Sequence, residues 1–342
     1  MKISVIGGGG WGLALAKLLT ENKHEVLVWE YNASYLSSLK ETNSNPTLLK
    51  DITLPLSIKY TDSFSTIANF ESTIILLATP SQFIRKTLRS IPNEVAQKIW
   101  QNQNLIALVN VAKGIEEQSL KTIDQILYDE LPHEMHHKIC ALSGPSHAEE
   151  VARGIPTTVV IAGQNEELLM QLQEVFSNSY FRVYRSLDII GVEIGGAVKN
   201  IIAIAAGIVS GLGYGDNTLG ALLTRGIVEI SRLGKAMHAQ TETFLGLSGI
   251  GDLITTAISL NSRNRYVGYE IGKGKSLQEI QDSMAMVAEG IASTRAVYLL
   301  AAKLGVEMPI VCQVYEILYE HKDPFTAMRD LMSRDLKAEF KQ

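Results

Sequence analysis

The sequence predicts an α/β protein, with a doubly wound parallel sheet in its N-terminal half and an all-helical C-terminal half. Two observations carry this. Short apolar runs alternate with helical patterns up to about residue 188, as in a parallel sheet covered by helices on both faces. Beyond that point strand signals fade, and long apolar-periodic segments rich in Ala, Ile, Leu and Gly take over. A chain of 342 residues has room for about two domains, and the change of pattern divides them into 1–188 and 189–342.

The first element is the most informative. Residues 2–6 read as a short buried strand that runs into Gly7-Gly8-Gly9-Gly10-Trp11-Gly12 and then into a helical pattern from Leu13. Gly7, Gly9 and Gly12 fill the three glycine places of a dinucleotide-binding turn: a tight bend, an approach of backbone to pyrophosphate, and close packing of helix on strand. Ala16 keeps that packing close, and the helix aims its free N–H groups and positive dipole end at the phosphates. A second strand at 25–29 ends at Glu30, near the offset where a carboxylate accepts from ribose hydroxyls. A glycine-rich turn in some other α/β protein is the bland alternative. The strand before and the helix after favour a Rossmann-type domain.

Further strands are predicted at 73–78, 105–109, 138–142, 157–162 and 180–184. Thr79-Pro80-Ser81 and Lys113-Gly114 then fall just past strand ends, on the edge where open α/β sheets bind ligands. The second half should begin with a long buried helix over about 189–211. Its apolar run is broken by Glu193 and Lys199, which argues for a core helix and against a membrane span. Gly272-Lys273-Gly274-Lys275 reads as an exposed turn.

Composition narrows the function. Hydrophobic content of 46% and charged content of 20% describe a globular protein. A net charge of −5 argues against a nucleic-acid binder that works through a broad basic face. Cys140 and Cys312 both sit in apolar surroundings and read as core residues, not a disulfide, which suits a reducing cytosol. The N-terminal apolar run is too short for a secretory signal.

Lys199 is the best catalytic candidate. A buried ammonium needs a partner, a cleft or a lowered pKa, and beside a nicotinamide it could protonate the alkoxide formed by hydride transfer. A snorkelling lysine whose head reaches water fits the spacing equally well. Glu193 is six residues away, too far for an i,i+4 pair. Asp252, between glycines in Leu247-Ser248-Gly249-Ile250-Gly251-Asp252-Leu253, reads either as a fixed carboxylate positioning an ammonium or as a helix cap. Ser262-Arg263-Asn264-Arg265 offers a planar fork and flanking donors for a phosphate or carboxylate, or else a solvated basic turn. Lys113-Gly114 and Ser143-Gly144-Pro145-Ser146-His147-Ala148 follow strands and either face the ligand cleft or are ordinary loops. His133-Glu134-Met135-His136-His137 matches H-E-x-x-H, but Pro132 and the strand at 138 leave barely one helical turn, so a polar loop is expected and no metal.

Together these residues resemble the NAD(P)-dependent glycerol-3-phosphate dehydrogenase family of bacterial type. The resemblance spans the chain: Gly7–Gly12 with Trp11, Ala112-Lys113-Gly114, Leu142-Ser143-Gly144-Pro145-Ser146, Gly196-Ala197-Val198-Lys199-Asn200 and Thr224-Arg225-Gly226. It continues through Gly249-Ile250-Gly251-Asp252-Leu253, Ser262-Arg263-Asn264 and Glu289-Gly290. It implies reversible hydride transfer between a nicotinamide cofactor and dihydroxyacetone phosphate, giving sn-glycerol 3-phosphate for phospholipid synthesis. It further implies Lys199 as general acid/base, held by Asp252, and Lys113 in contact with both ligands. Gly144, Ser146, Asn200, Ser262, Arg263 and Asn264 would hold the substrate, the Arg-Asn pair taking its phosphate. Gly7, Gly9, Gly10, Trp11, Gly12, Glu30, Tyr31, Lys113, Ala148, Arg263, Val287 and Glu289 fall on cofactor positions.

Two departures stand out. Many family members carry Ser at the place of Gly10, and many have Gly followed by Arg or His where this chain has Glu30-Tyr31. An arginine there would pair with the 2′-phosphate of NADP and Glu30 would repel it, so NAD(H) is expected over NADP(H). A homodimer in the cytosol is expected. The competing readings are a related β-hydroxyacid or ketopantoate-type dehydrogenase, and a non-catalytic NAD(H)-sensing module.

Overall fold

A computed structural model describes the chain except for Pro46, Ala285, Met286, Lys337 and residues 340–342. Ten strands are present among the described residues: β1 (Lys2–Ile6), β2 (Glu25–Trp29), β3 (Ser44–Asn45), β4 (Leu49–Thr53), β5 (Lys59–Thr61), β6 (Ile74–Leu77), β7 (Ala107–Asn110), β8 (Ile139–Ser143), β9 (Thr157–Gly163) and β10 (Phe181–Ser186). Eight form one sheet in the order β10-β9-β8-β7-β6-β1-β2-β5. β1 is flanked by β2 and β6, both parallel to it. The chain builds outward through β2 to β5, then returns to the other side of β1 at β6. That reversal opens a crevice past the carboxyl ends of β1 and β6, where open sheets bind ligands.

All seven expected strands form, within two or three residues at each end. The sheet is not wholly parallel, because β9 runs antiparallel to β8. Its connection carries only the five-residue helix Ala148–Ala152. A parallel return would need a longer crossover. β10 then returns parallel to β9 after the helix Glu166–Phe176. Short strands β3, β4 and β5 were not expected. β4 is largely exposed and β5 is a three-residue edge, so neither leaves an apolar pattern to read.

Apolar side chains pack on both sheet faces. Leu13, Leu15 and Leu18 from the helix Gly10–Glu21 cover one side with Val5, Val28 and Leu76. Ile67, Ile84 and Ile126 cover the other with Ile6, Leu27 and Leu77. Near-continuous Ile, Leu and Val runs in β1 and β6 follow from burial on both faces.

A helix spans Ile189–Gly211, where one was expected. The Asp188 carboxylate starts it by accepting from the Gly191 N–H at 2.9 Å. The helix is long and apolar enough to cross a membrane by composition, yet 94% of its apolar window is buried inside the protein. An all-round apolar helix of this kind is the centre of a core, here wrapped by Asp216–Ala236, Asp252–Ile258, Arg263–Gly272 and Glu289–Leu304. His133–Lys138 is a 3-10 helix, not the loop expected. Among the described residues no group of three or more His, Cys, Asp or Glu is placed to hold a metal.

Candidate active site

A cleft of about 500 Å³ lies along the carboxyl ends of β1, β2, β6, β7 and β8 and is closed on its far side by the C-terminal helices. At one end stands the glycine turn. Gly7 adopts φ +118°, and a Cβ there would lie 2.7 Å from the Ala78 carbonyl carbon, so this bend admits only glycine. Gly9 caps the helix Gly10–Glu21 with no side chain bonded to its first N–H groups. A Cβ on Gly9 would meet none of the described residues within 4 Å. The result is an open cradle with N–H donors and a helix dipole facing it, which fits a dinucleotide pyrophosphate. The Trp11 Nε1 and Thr79 Oγ1 atoms in the same wall are buried and have no hydrogen-bond partner among the described residues.

Glu30 follows β2 and is only 6% exposed. Its Oε2 accepts from the Gly8 N–H at 3.1 Å and its Oε1 from the Asn32 N–H at 3.0 Å. Tyr31 stands at the mouth, 77% exposed. Tyr35 donates to the Gly8 carbonyl at 2.6 Å and accepts from Asn45, bracing the turn from behind.

At the other end three charged side chains meet. Lys199 Nζ donates to Asp252 Oδ1 at 2.6 Å and to Thr256 Oγ1 at 2.7 Å. Lys113 Nζ donates to Asp252 Oδ2 at 2.8 Å and to the Gly144 carbonyl at 2.9 Å, and it lies 3.4 Å from Ser146 Oγ. One carboxylate thus stands between two ammonium groups. Neither open alternative for Lys199 or Asp252 survives: the Lys199 head is buried, not in water, and Asp252 follows the helix cap Gly251 and spends its carboxylate on the lysines. Asp252 is set in place by a π-helical turn over Leu247–Gly251 that breaks at Gly249 (φ −96°, ψ −106°).

Electrostatics follow from burial and from this arrangement. Burial pushes the Lys199 pKa down to about 8, with Asp252 resisting the fall and Lys113 adding to it. For Asp252 burial favours the neutral acid, but Lys113 and Lys199 outweigh it and hold the carboxyl below its usual value. Burial raises Glu289, although its oxygens accept from the Ser81 N–H at 2.7 Å and the Lys113 N–H at 3.3 Å. Glu289 thereby ties the start of a C-terminal helix to two strand-end loops.

Ser262, Arg263 and Asn264 open the helix Arg263–Gly272 and line the cleft. Ser262 Oγ caps that helix by accepting from the Arg265 N–H at 3.2 Å. Arg263 donates to the Val287 carbonyl at 3.3 Å, and Asn264 Oδ1 accepts from the Gly290 N–H at 3.0 Å, leaving its amide N–H groups for other acceptors. Asn200 reaches the Lys113 and Gly196 carbonyls at 3.5 and 3.4 Å. Every expected site residue lines the cleft except Gly12 and Gly144. Gly12 packs on the Gly7 carbonyl, and Gly144 sits against Val159 and presents only its carbonyl to Lys113.

Sequence reasoning missed Thr256, which accepts from Lys199 and lines the cleft, and also Leu48, Asn261 and Glu149. The i+4 spacing of Thr256 from Asp252 was the available signal, since it puts both on one helix face.

Residues 2–169 match the N-terminal signature of NAD-dependent glycerol-3-phosphate dehydrogenase, and residues 188–329 match its C-terminal signature. A glycerol-3-phosphate dehydrogenase [NAD(P)+] of Fusobacterium nucleatum is 49% identical over 339 residues, 99% of this chain and 98% of that protein. One from Syntrophotalea carbinolica is 45% identical, covering 99% of each. The crystal structure of glycerol-3-phosphate dehydrogenase from Coxiella burnetii superposes with a TM-score of 0.90 at 33% identity, over 97% of this chain and 99% of that one. The chain belongs to the NAD-dependent glycerol-3-phosphate dehydrogenase family.

Proposed function

We propose that the chain reduces dihydroxyacetone phosphate reversibly to sn-glycerol 3-phosphate, a precursor of glycerophospholipids, using NADH in preference to NADPH. The observation that carries this reading is the buried Lys199 ammonium on Asp252 and Thr256, with Lys113 on the same carboxylate. When bound, the reduced nicotinamide supplies a hydride to C2 of the substrate. Lys199 holds a proton at Nζ and gives it to the C2 oxygen as negative charge develops there, so that C=O becomes CH–OH. Asp252 keeps Lys199 charged and in place, and Lys113 adds a second positive charge beside the developing oxyanion.

The remaining residues position. Arg263, at a helix start with Ser262 and Asn264, takes the substrate phosphate, so that binding energy far from C2 is used for alignment. Ser146 and Asn200 contact the substrate, while Gly144 acts through its carbonyl on Lys113. Gly7, Gly9, Gly10, Trp11 and Ala148 cradle the dinucleotide, with Tyr31, Val287 and Glu289 at its flanks and Gly12 holding helix to strand. Glu30 sits where a 2′-phosphate would meet a like charge. The working division is 1–188 for the dinucleotide and 189–342 for the substrate. The free thiols Cys140 and Cys312 suit a reducing cytosol, and we take the working form as a homodimer.

The test is NADH consumption with dihydroxyacetone phosphate, repeated with NADPH and with Lys199→Ala. Turnover that favours NADH, and a Lys199→Ala enzyme that binds NADH normally while losing orders of magnitude in kcat, are expected. A Lys199→Ala enzyme with near-normal turnover would remove the mechanism. An equal or higher kcat/KM with NADPH would remove the role given to Glu30. Activity on 2-keto carboxylates alone would move the enzyme to the β-hydroxyacid or ketopantoate class.

A further inference from the structure

Glu193 is the only acidic residue in the Ile189–Gly211 helix, and no step of the proposed chemistry uses it. It is buried at 6% exposure, six residues before Lys199. Its Oε1 accepts from Asn110 Nδ2 at 2.9 Å and its Oε2 from the Asp124 N–H at 3.1 Å. Asn110 ends β7 and folds the chain beyond it: its Oδ1 accepts from the Ala112 N–H at 2.9 Å, and its Nδ2 reaches the Ala112 carbonyl at 3.3 Å. The next residue is Lys113, whose Nζ sits on Asp252 beside Lys199. The contacts therefore close a ring. It leaves the long helix at Glu193, crosses Asn110, Ala112 and Lys113 to Asp252, and comes back to the same helix at Lys199.

A carboxyl in this place is costly to bury, and an apolar side chain would fill it at lower cost. A fully partnered polar group does something an apolar one does not: it admits a single arrangement of its neighbours. Burial first, and the nearby Asp124 carboxylate second, push the Glu193 pKa well above the ordinary range. Glutamine keeps the shape and one accepting oxygen, enough for Asn110 Nδ2, while its NH2 group turns toward the Asp124 N–H. Neither Glu193 nor Asn110 lines the cleft.

We infer that Glu193 is a positioning residue: acting through Asn110, it holds the Lys113 loop in register with Lys199, so that both ammonium groups meet Asp252. The inference rests on the reading above in which Lys199 and Lys113 act on the substrate. The test compares Glu193→Ala, Glu193→Gln and Asn110→Ala with Lys199→Ala, reading kcat, NADH affinity by the fluorescence of bound NADH, and Tm.

Glu193→Ala and Asn110→Ala are expected to lower kcat by roughly tenfold to a hundredfold, as a small misplacement does, with NADH affinity unchanged. Glu193→Gln is expected to restore most of kcat, because its remaining oxygen can still accept from Asn110 Nδ2. If Glu193→Ala does not fold, Asn110→Ala carries the same prediction. An inert Lys199→Ala beside normal kcat in Glu193→Ala and Asn110→Ala overturns the inference alone. It is also overturned if kcat, NADH affinity and Tm fall together and glutamine fails to rescue, since that is a purely structural role. An active Lys199→Ala overturns the underlying mechanism instead.

Discussion

Replacing Asp252 by Asn tests the core of the site, because it removes the single negative charge between two lysines and changes the shape little. Asn can accept from one lysine through its carbonyl, but it turns an NH2 group toward the other. A pair of unit charges about 4 Å apart, at an effective dielectric constant near 20, is worth roughly 4 kcal/mol. That corresponds to a proton affinity at Lys199 weaker by about a thousandfold. Lys199 starts from a pKa of about 8, so it is mostly protonated at pH 7. In the variant only about one Lys199 in a hundred would carry its proton at that pH, and Lys113 would remain close by to repel it. The expected result is a fall of about a hundredfold in kcat for ketone reduction at pH 7, easing toward pH 5 as the ammonium returns. Glycerol 3-phosphate oxidation, which needs the neutral amine, should suffer less at the same pH. Initial rates in both directions across the pH range make the measurement. A variant that reduces dihydroxyacetone phosphate at pH 7 as fast as the parent, with its pH profile unmoved, would refute the idea that Asp252 sets the charge state of Lys199.

Two other outcomes follow from the same geometry. For the unaltered enzyme, reduction needs the Lys199 ammonium and oxidation needs the amine. The kcat for reduction should therefore fall as pH rises through about 8, while the kcat for oxidation rises over the same range; parallel pH profiles in the two directions would contradict the assignment. Arg263→Ala should raise KM for dihydroxyacetone phosphate by at least tenfold, because a charge-assisted contact to phosphate is worth roughly 1.5–3 kcal/mol. A smaller kcat effect is expected, and steady-state kinetics with each substrate varied in turn would separate the two.

The glycine turn, the parallel strands around β1 and the long helix were legible in sequence because each has a local cause. Gly7 must bend where only glycine fits, β1 and β6 are buried on both faces, and the 189–211 segment is apolar on every side. The reversed β9 was not legible, because a strand buried on both faces reads the same in either direction. Lys199 and Asp252 could be singled out from the chain, but not paired from it. They are 53 residues apart, and their contact is made by a helix-to-helix packing that no local pattern encodes. The alternatives left open for both residues are decided by which neighbour the packing brings within 3 Å. Glu30 shows the opposite case. Its position after β2 was enough to bring it into the cleft beside the glycine turn, and the backbone N–H groups of Gly8 and Asn32 supply the fixing that the sequence could not display.

Thr256 is where that gap matters most, since among the described residues Lys199 has two hydrogen-bond acceptors, Asp252 and Thr256. The Thr256 hydroxyl donates its own proton to the Asp252 backbone carbonyl at 2.6 Å. Its lone pair is thereby fixed toward Lys199, so it favours the ammonium over the amine. Thr256→Val keeps the branched shape and deletes that acceptor. A hydrogen bond to a charged group is worth about 1.5–3 kcal/mol, so the alkaline limit of reduction should move down by roughly one to two pH units. At pH 7 the loss in kcat should then lie between about twofold and tenfold, far below the cost of losing Asp252. Thr256→Ser keeps the oxygen and should restore the profile, whereas a packing defect would not be mended by a smaller side chain. If Val and Ser variants share one pH profile with the parent, the proton on Lys199 is held by Asp252 alone.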